Sequence, residues 1–437
     1  MALRKLNNSG IYNPYSLGWD TKIDFPNTRQ LDEYGNRIYN RYPARSIFLV
    51  PRSIIFHKKE LSVQPLNILD PFMGSGTTAV EASLQGCNIF GIEMDPFARV
   101  ISEVSIYRFS RQSIQKLQGI LKKIYKNWNN HSPDLRLYPS LNNIEYWFDT
   151  SIFSDLLKLK SIIYSMDLND KQLKFFQIVF ADCIKPSSKM ERQSTKPYIS
   201  SKYEKVVKPV LESFQYSFDK HIQALSQYID IDSSRRYPKI NWVGSDATNF
   251  NSLINVIDLA ITSPPYLNAF DYTQLVKVES AWLGSMDDER MKELRKSQVG
   301  HEQRINNEVN ESVTSIFQDY YSTFILSGEA ISIETGKKTD YEKFAKSSLA
   351  YFNDLYNNLL CVYRALKPNG EYHIIVGDNV IKGIEIPTHK IIADIATSIG
   401  FNWFGYYFYP IKDHRTSIPR NGNGGKIRYE YVISFRK

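Results

Sequence analysis

The chain has 437 residues, with 54 Lys+Arg against 46 Asp+Glu and three cysteines. At about 100–200 residues per domain that is one large domain or two to three ordinary ones, and 42% hydrophobic with 23% charged content excludes a disordered chain. The formal net charge of +8 admits a polyanionic partner without requiring one.

Cys87, Cys183 and Cys361 are far apart and form no Cys-x-x-Cys pair. That excludes a disulfide framework and a cysteine-based zinc site, so no metal is expected and the thiols read as small buried groups in a reducing compartment. The N-terminus has no apolar h-region, and Ser46–Phe56 is broken by Pro51 and Arg52. Neither a secretory signal nor a membrane span is expected, which points to the cytoplasm.

In chain order, the polar and turn-rich first 40 residues (Asn13-Pro14-Tyr15, Phe25-Pro26-Asn27) predict an arm rather than a core element. From Asn67 the pattern becomes strand, glycine turn, helix and strand. Asn67–Asp70 is a short apolar run ending in an acid, Thr78–Gln85 is helical with Gly86 at the cap, and Asn88–Glu93 is a second strand ending in an acid. This βαβ signature predicts a parallel sheet. Residues 105–240 read as mostly helical, from the spacing of Ile114, Leu117 and Leu121 and of Leu156, Leu159, Ile162 and Ile163. Strands return at 241–243 and 256–262. A polar insert with few large apolar residues spans about 285–345. A helix over 349–366, the turn Lys367-Pro368-Asn369-Gly370, a strand over 371–376 and a helix over 388–399 closed by Gly400 follow. The last strands, 401–409 and 429–435, fit an antiparallel hairpin on the sheet edge.

Two constellations carry chemistry. Asp70-Pro71-Phe72-Met73-Gly74-Ser75-Gly76-Thr77-Thr78 leaves a strand and opens a helix, the context a nucleotide-type glycine loop requires. It lacks the Gly-Lys-Ser/Thr of a phosphate loop and the third glycine of the dinucleotide fingerprint. An acid before the glycines suits an ammonium group or a cationic sulfonium ligand instead. Glu93, about 20 residues beyond that loop, is placed to accept both hydroxyls of a ribose. Asp95 reads as a helix N-cap, because Pro96 follows it. The second constellation is Thr262-Ser263-Pro264-Pro265-Tyr266, after the strand Val256–Ile261. The paired prolines fix an extended backbone. The Ser263 hydroxyl and the Pro264 carbonyl can then accept hydrogen bonds from an amino group, while Tyr266 offers a flat face for stacking.

Asp70–Thr78 together with Ser263–Tyr266 resembles the S-adenosylmethionine-dependent amino-methyltransferases of DNA from restriction–modification systems. Tyr42-Pro43-Ala44-Arg45 resembles that family's N-terminal cofactor motif, Ser245-Asp246-Ala247 its third motif, and Leu366–Gly370 with the strand after it the later scaffold motifs. The resemblance implies an α/β, Rossmann-like methyltransferase fold, mostly parallel with an antiparallel edge strand, plus a mainly helical insert. It implies S-adenosylmethionine held by Tyr42, Arg45, Asp70, Phe72, Gly74, Ser75, Gly76, Thr77, Glu93, Asp246 and Ala247. Ser263, Pro264, Pro265 and Tyr266 would act on a base flipped from double-stranded DNA. Serine at the first tetrapeptide position resembles the cytosine-N4 enzymes more than the adenine-N6 ones. Carbon-5 chemistry is disfavoured, because no cysteine here has a proline neighbour. An RNA base amino-methyltransferase and a catalytically dead DNA-binding protein are the other readings. The implied setting is a prokaryotic, nucleoid-associated enzyme with a cognate restriction endonuclease as its expected partner.

This motif order resembles the family's linear arrangement in which the target-recognition region lies between the two constellations. Residues 1–104 then hold the arm and the first half of the catalytic domain, 105–240 the recognition region, and 241–437 the second half. From Ser105 to Ile240 the chain carries 22 Lys+Arg and 13 Asp+Glu, so the rest is close to neutral. Within this stretch 185–208 is turn-prone and reads as a mobile loop, with Lys185, Lys189, Arg192 and Lys196 expected to reach phosphates.

Overall fold

The alternation of short apolar runs with amphipathic stretches builds one eight-stranded mixed sheet flanked by helices. The computed structural model describes residues 10–25, 38–39, 42, 46–191, 194, 196–202, 205–229, 238–267, 271–301, 304, 308–335, 340–381, 383–411 and 427–437. Its elements run β1 (Thr21–Lys22), α1 (Leu49–Glu60), β2 (Asn67–Asp70), α2 (Thr77–Leu84), β3 (Asn88–Ile92) and α3 (Pro96–Ser105). Then come α4 (Arg111–Asn127), α5 (Thr150–Ser165), α6 (Asp170–Ile184), α7 (Val210–Ser226), β4 (Ile240–Gly244) and β5 (Ile257–Thr262). The chain continues through α8 (Tyr272–Leu275), α9 (Lys277–Trp282), α10 (Asp288–Ser297), α11 (Glu311–Thr335), α12 (Tyr341–Ala365) and β6 (Leu366–Gly377). It closes with β7 (Asn379–Ile381), β8 (Ile384–Ile386), α13 (Thr388–Ile399), β9 (Asn402–Pro410) and β10 (Tyr429–Arg436). No described helix is long and apolar enough to cross a membrane.

The sheet order is β1-β9-β10-β6-β5-β2-β3-β4. Strands β6, β5, β2, β3 and β4 pair in parallel, so their C-terminal ends share one edge of the sheet. Strand β10 is antiparallel to both neighbours. It therefore lies inside the sheet, between β9 and β6, rather than at the edge that a terminal hairpin predicts. The edge is taken by β1, which pairs in parallel with β9. The predicted arm is thus partly a core element. Tyr12 packs on Phe25 and Tyr407, Phe25 packs on Tyr409, and Ile38 and Tyr39 are fully buried. A sequence of polar residues punctuated by single aromatics conceals this, because each aromatic anchors separately.

The helical region joins the sheet without a seam. Its aromatic core of Phe175, Phe176, Phe180, Phe214 and Phe218 is continuous with the apolar layer under α1, α2 and α3. Lys174 bridges to Glu103 of α3 at 2.6 Å, and the Tyr228 hydroxyl donates to the Ser105 carbonyl. From the second half of the chain Trp282 buries its ring among Phe148, Phe153 and Phe180. Removing one such ring from water is worth about 2–3 kcal/mol, so these helices are held rigidly against the sheet.

The polar insert expected over 285–345 also contributes core. Helix α11 lays Val313, Phe317 and Phe324 against α12. Its buried residues are diluted by a polar outer face, which makes the average composition look like an insert. Helix α13 ends as predicted, with Gly400 at a φ of 114° in the left-handed region.

Candidate active site

Strand β2 delivers Asp70 and strand β5 delivers Thr262 to the same edge of the sheet. The Thr262 hydroxyl donates to Asp70 Oδ1 at 2.6 Å, and the Phe72 N–H donates to the same oxygen. Burial pushes the Asp70 carboxyl up to about 6, against the pull of these hydrogen bonds. The glycine loop and the Ser-Pro-Pro-Tyr segment are therefore tied together at their roots. The sequence places Thr262 at the head of that segment but assigns it no role, since a threonine ending a strand carries no signal of its own.

The glycine loop turns over Asp70. Gly74 and Gly76 have φ of 52° and 84°. A Cβ on Gly76 would lie 2.7 Å from Ser102 Cβ and 2.9 Å from its Cα, so the loop needs glycine both for its backbone and for its contact with α3. Ser75 is half-buried, Thr77 is the first residue of α2, and Phe72 packs half-buried against the second core cluster. Across the crevice Glu93 accepts from the Gly74 N–H at 2.7 Å and from the Asp95 N–H at 2.8 Å. Burial and the charge of Asp95 push Glu93 up to about 7. Asp95 caps α3 by accepting from Phe97 N–H, as its Pro96 neighbour predicts. Tyr42 is buried against Gly74, and burial with the nearby Glu93 raises its hydroxyl well above the ordinary tyrosine range.

Two residues that no motif marks complete this crevice. Arg99 donates to the Glu93 carbonyl at 2.7 Å and the Gly244 carbonyl at 2.6 Å, and its guanidinium lies over Trp242. It fixes the end of β3 relative to β4. Tyr272 stands near Glu93, and burial with that carboxylate raises its hydroxyl to about 12. Beyond β4, Asp246 is exposed and accepts from the Thr248 N–H and hydroxyl, while the Ala247 carbonyl is held by Asn358.

The tetrapeptide follows β5 directly. Ser263 is half-buried, Pro264 is buried, and Pro265 and Tyr266 are half-buried. The Tyr266 hydroxyl donates to Glu430 of β10, and Asn379 donates to the Leu267 carbonyl just beyond. Most of the residues expected at the site are thus gathered at one sheet edge. Arg45 and Arg192 lie outside the described residues.

The basic loop differs from expectation at Lys185. This side chain is buried, and its ammonium donates to the Ser194 carbonyl at 2.5 Å. Lys205 in turn donates to the carbonyls of Lys185 and Ser188. These ammonium groups bond backbone carbonyls of the turn-rich segment, so Lys185 acts as a structural tie rather than a phosphate ligand. Lys189 is half-buried with its ammonium near the Tyr146 ring, and Lys196 is exposed. Helix α4 shows a basic face that no motif marks. It carries Lys116, Lys122, Lys123 and Lys126 exposed and has no acidic residue.

A glycine loop backed by a buried acid, a second acid across the crevice and an amine-accepting tetrapeptide on the next strand define an S-adenosylmethionine-dependent methyltransferase. The donor set fits that cofactor. Carboxylates suit the cation and the ribose hydroxyls, and the left-handed glycines let the backbone approach closely. Residues 50–103 match the DNA methylase family of N6 and N4 methyltransferases. The type II methyltransferase M.MvaI of Kocuria varians is 23% identical over 89% of this chain and 87% of its own length. M.BsoBI of Geobacillus stearothermophilus is 26% identical over 85% of this chain and 78% of its own, and M.AvaI of Anabaena variabilis 25% over 95% and 88%. The chain is an S-adenosylmethionine-dependent DNA methyltransferase, similar over most of its length to these type II enzymes and over its glycine-loop segment to the N6 and N4 methylases.

Proposed function

We propose that this protein methylates the exocyclic N4 amine of cytosine within a specific duplex sequence, as the modification half of a restriction–modification system. The observation that carries the proposal is the Thr262–Asp70 hydrogen bond, which sets Ser263–Tyr266 beside the glycine loop. Tyr42, Asp70, Phe72, Gly74–Thr77, Glu93, Asp246 and Ala247 hold S-adenosylmethionine, which supplies an electrophilic methyl group. The target base is flipped from the duplex, because its amine is otherwise out of reach. The Ser263 hydroxyl and the Pro264 carbonyl accept from that amine and turn its lone pair toward the methyl group. Tyr266 stacks on the base. No covalent enzyme intermediate forms, and positioning supplies most of the rate.

Serine at position 263 favours cytosine-N4 over adenine-N6, which uses the same chemistry on a different base. Residues 105–240 are the target-recognition region in this reading, with Lys189, Lys196 and the α4 lysines facing phosphates. The experiment is transfer of labelled methyl groups to duplex DNA and, separately, to tRNA, with Ser263→Ala as control. Label in DNA that depends on Ser263 supports the proposal. Label in tRNA alone, or transfer indifferent to Ser263, overturns it.

A further inference from the structure

We propose that Glu430 is a positioning residue for the methyl-transfer reaction, acting through the hydroxyl of Tyr266 to fix the ring plane on which the target base stacks. The proposal rests on the reading of Tyr266 as the stacking residue and extends it to a side chain 164 positions away.

Glu430 stands on β10, opposite Gly377 of β6 on one side and Tyr409 of β9 on the other. It therefore sits at the sheet edge to which β5 delivers the tetrapeptide. The Tyr266 hydroxyl donates to Glu430 Oε1, and Tyr409 is the cross-strand neighbour of Glu430 on β9. Strand alternation orders this pairing, because cross-strand partners share one face. A half-buried carboxylate beside an apolar layer is costly unless it is hydrogen-bonded, and burial does raise the Glu430 carboxyl above its ordinary range while the two tyrosines lower it. Among the described residues, the segment that follows β5 makes no sheet pairing. Two further restraints act on its backbone. A Cβ on Gly300 would lie 2.7 Å from the Tyr266 carbonyl oxygen, so the chain there closes directly over the tetrapeptide. Asn379 holds the next carbonyl, that of Leu267. These contacts fix the main chain, while packing of the half-buried ring against the apolar layer around Tyr351 and Phe352 still leaves it some freedom to turn about its side-chain bonds. The hydrogen bond at the far end of the ring removes that freedom. A ring fixed in advance spares the flipped base the entropy of ordering it.

The test measures kcat and KM for a cognate duplex, with cofactor affinity and Tm measured alongside, in Tyr266→Ala, Tyr266→Phe, Glu430→Ala, Glu430→Gln and Tyr266→Phe/Glu430→Ala. Tyr266→Phe is expected to keep the stacking face and lose only the tether, lowering kcat/KM for DNA about tenfold with cofactor affinity unchanged. Glu430→Ala is expected to match it, and Glu430→Gln to recover most of the activity because its amide oxygen still accepts. The double variant is expected to be no worse than either single one, as for two residues acting through one hydrogen bond. Additive losses, or Tyr266→Phe with wild-type kcat/KM beside a crippled Tyr266→Ala, would overturn the role of Glu430 while leaving the stacking reading intact. A silent Tyr266→Ala would remove the stacking reading and this inference with it. Should Glu430→Ala fail to fold, Tyr266→Phe and Glu430→Gln decide the matter between them.

Discussion

The Thr262 hydroxyl reaches across from β5 to the Asp70 carboxylate of β2 at 2.6 Å, joining the two chemical halves of the protein through one buried hydrogen bond. Thr262→Val keeps the shape and deletes the donor, leaving a buried carboxylate with less support. The expected cost is about 1–3 kcal/mol of stability, read as a lower Tm, with weakened cofactor binding by calorimetry. A variant unchanged in both would show that this bond does not support the site.

Cofactor binding should release protons near neutrality. Burial and the Asp95 charge hold Glu93 at about 7, and burial holds Asp70 at about 6, so both carry some proton in the free protein at pH 7. A cationic ligand with hydroxyl donors favours the ionised forms and pulls both values down. Affinity for S-adenosylmethionine is therefore expected to rise as pH increases from 5.5 toward 8, by roughly tenfold for each unit that a carboxyl is lowered. Titrations in buffers of different ionisation enthalpy measure the released protons directly, and proton uptake would contradict the assignment.

Gly76→Ala should fail on two counts. The residue sits at a φ of 84°, and a Cβ would strike Ser102 of α3 at under 3 Å. Strain and overpacking together predict a loss of about 2–4 kcal/mol. Ser102→Gly in the same chain should recover only part of it, because Ser102 Cα is itself within 2.9 Å. Chemical denaturation of the single and double variants checks both statements.

Glu371 staples the N-terminal segment to the far side of the sheet. Its carboxylate accepts from Lys58 at 2.8 Å, Arg436 at 3.0 Å and Tyr15 at 2.8 Å. Burial alone would raise this group, but His373 and Lys58 outweigh it and hold it well below the usual carboxylate range. A depressed acid contributes stability above its unfolded value near 4.5, and that contribution is lost as pH falls below it. Glu371→Gln should lower stability by about 2–4 kcal/mol at pH 7, with a smaller difference from wild type at pH 4. A gap that widens in acid would contradict the staple.

Within the basic segment the lysines should divide by burial. Neutralising Lys189, Arg192 and Lys196 is expected to flatten the dependence of DNA affinity on salt, by about 0.9 in logarithmic slope for each phosphate that the variant no longer neutralises. Lys185→Gln should instead lower Tm, because the buried ammonium ties the segment to the Ser194 carbonyl. An unchanged slope in the triple variant would make these charges a solvated face.

Much of the catalytic half was legible because strand-end acids, paired glycines and Pro-Pro-Tyr are local patterns with local physical reasons. The helix capped by Asp95 and the one closed by Gly400 were legible in the same way. What the sequence concealed depends on contacts between distant positions. Nothing around Glu430 marks it as the partner of Tyr266, and nothing around Thr262 marks it as the partner of Asp70. The place of β10 inside the sheet is a matter of topology, which a terminal pair of strands does not specify. Lys185 misleads because composition counts a charge but does not show where its ammonium is directed.

The most direct measurement is mass spectrometry of nucleosides from duplex DNA incubated with the protein and methyl-labelled S-adenosylmethionine. The predicted result is labelled N4-methylcytosine, reduced at least about tenfold by Ser263→Ala, since that change deletes one of the two acceptors for the amine. Labelled N6-methyladenine in its place would contradict the cytosine assignment. Labelled N4-methylcytosine made equally well by Ser263→Ala would contradict the site.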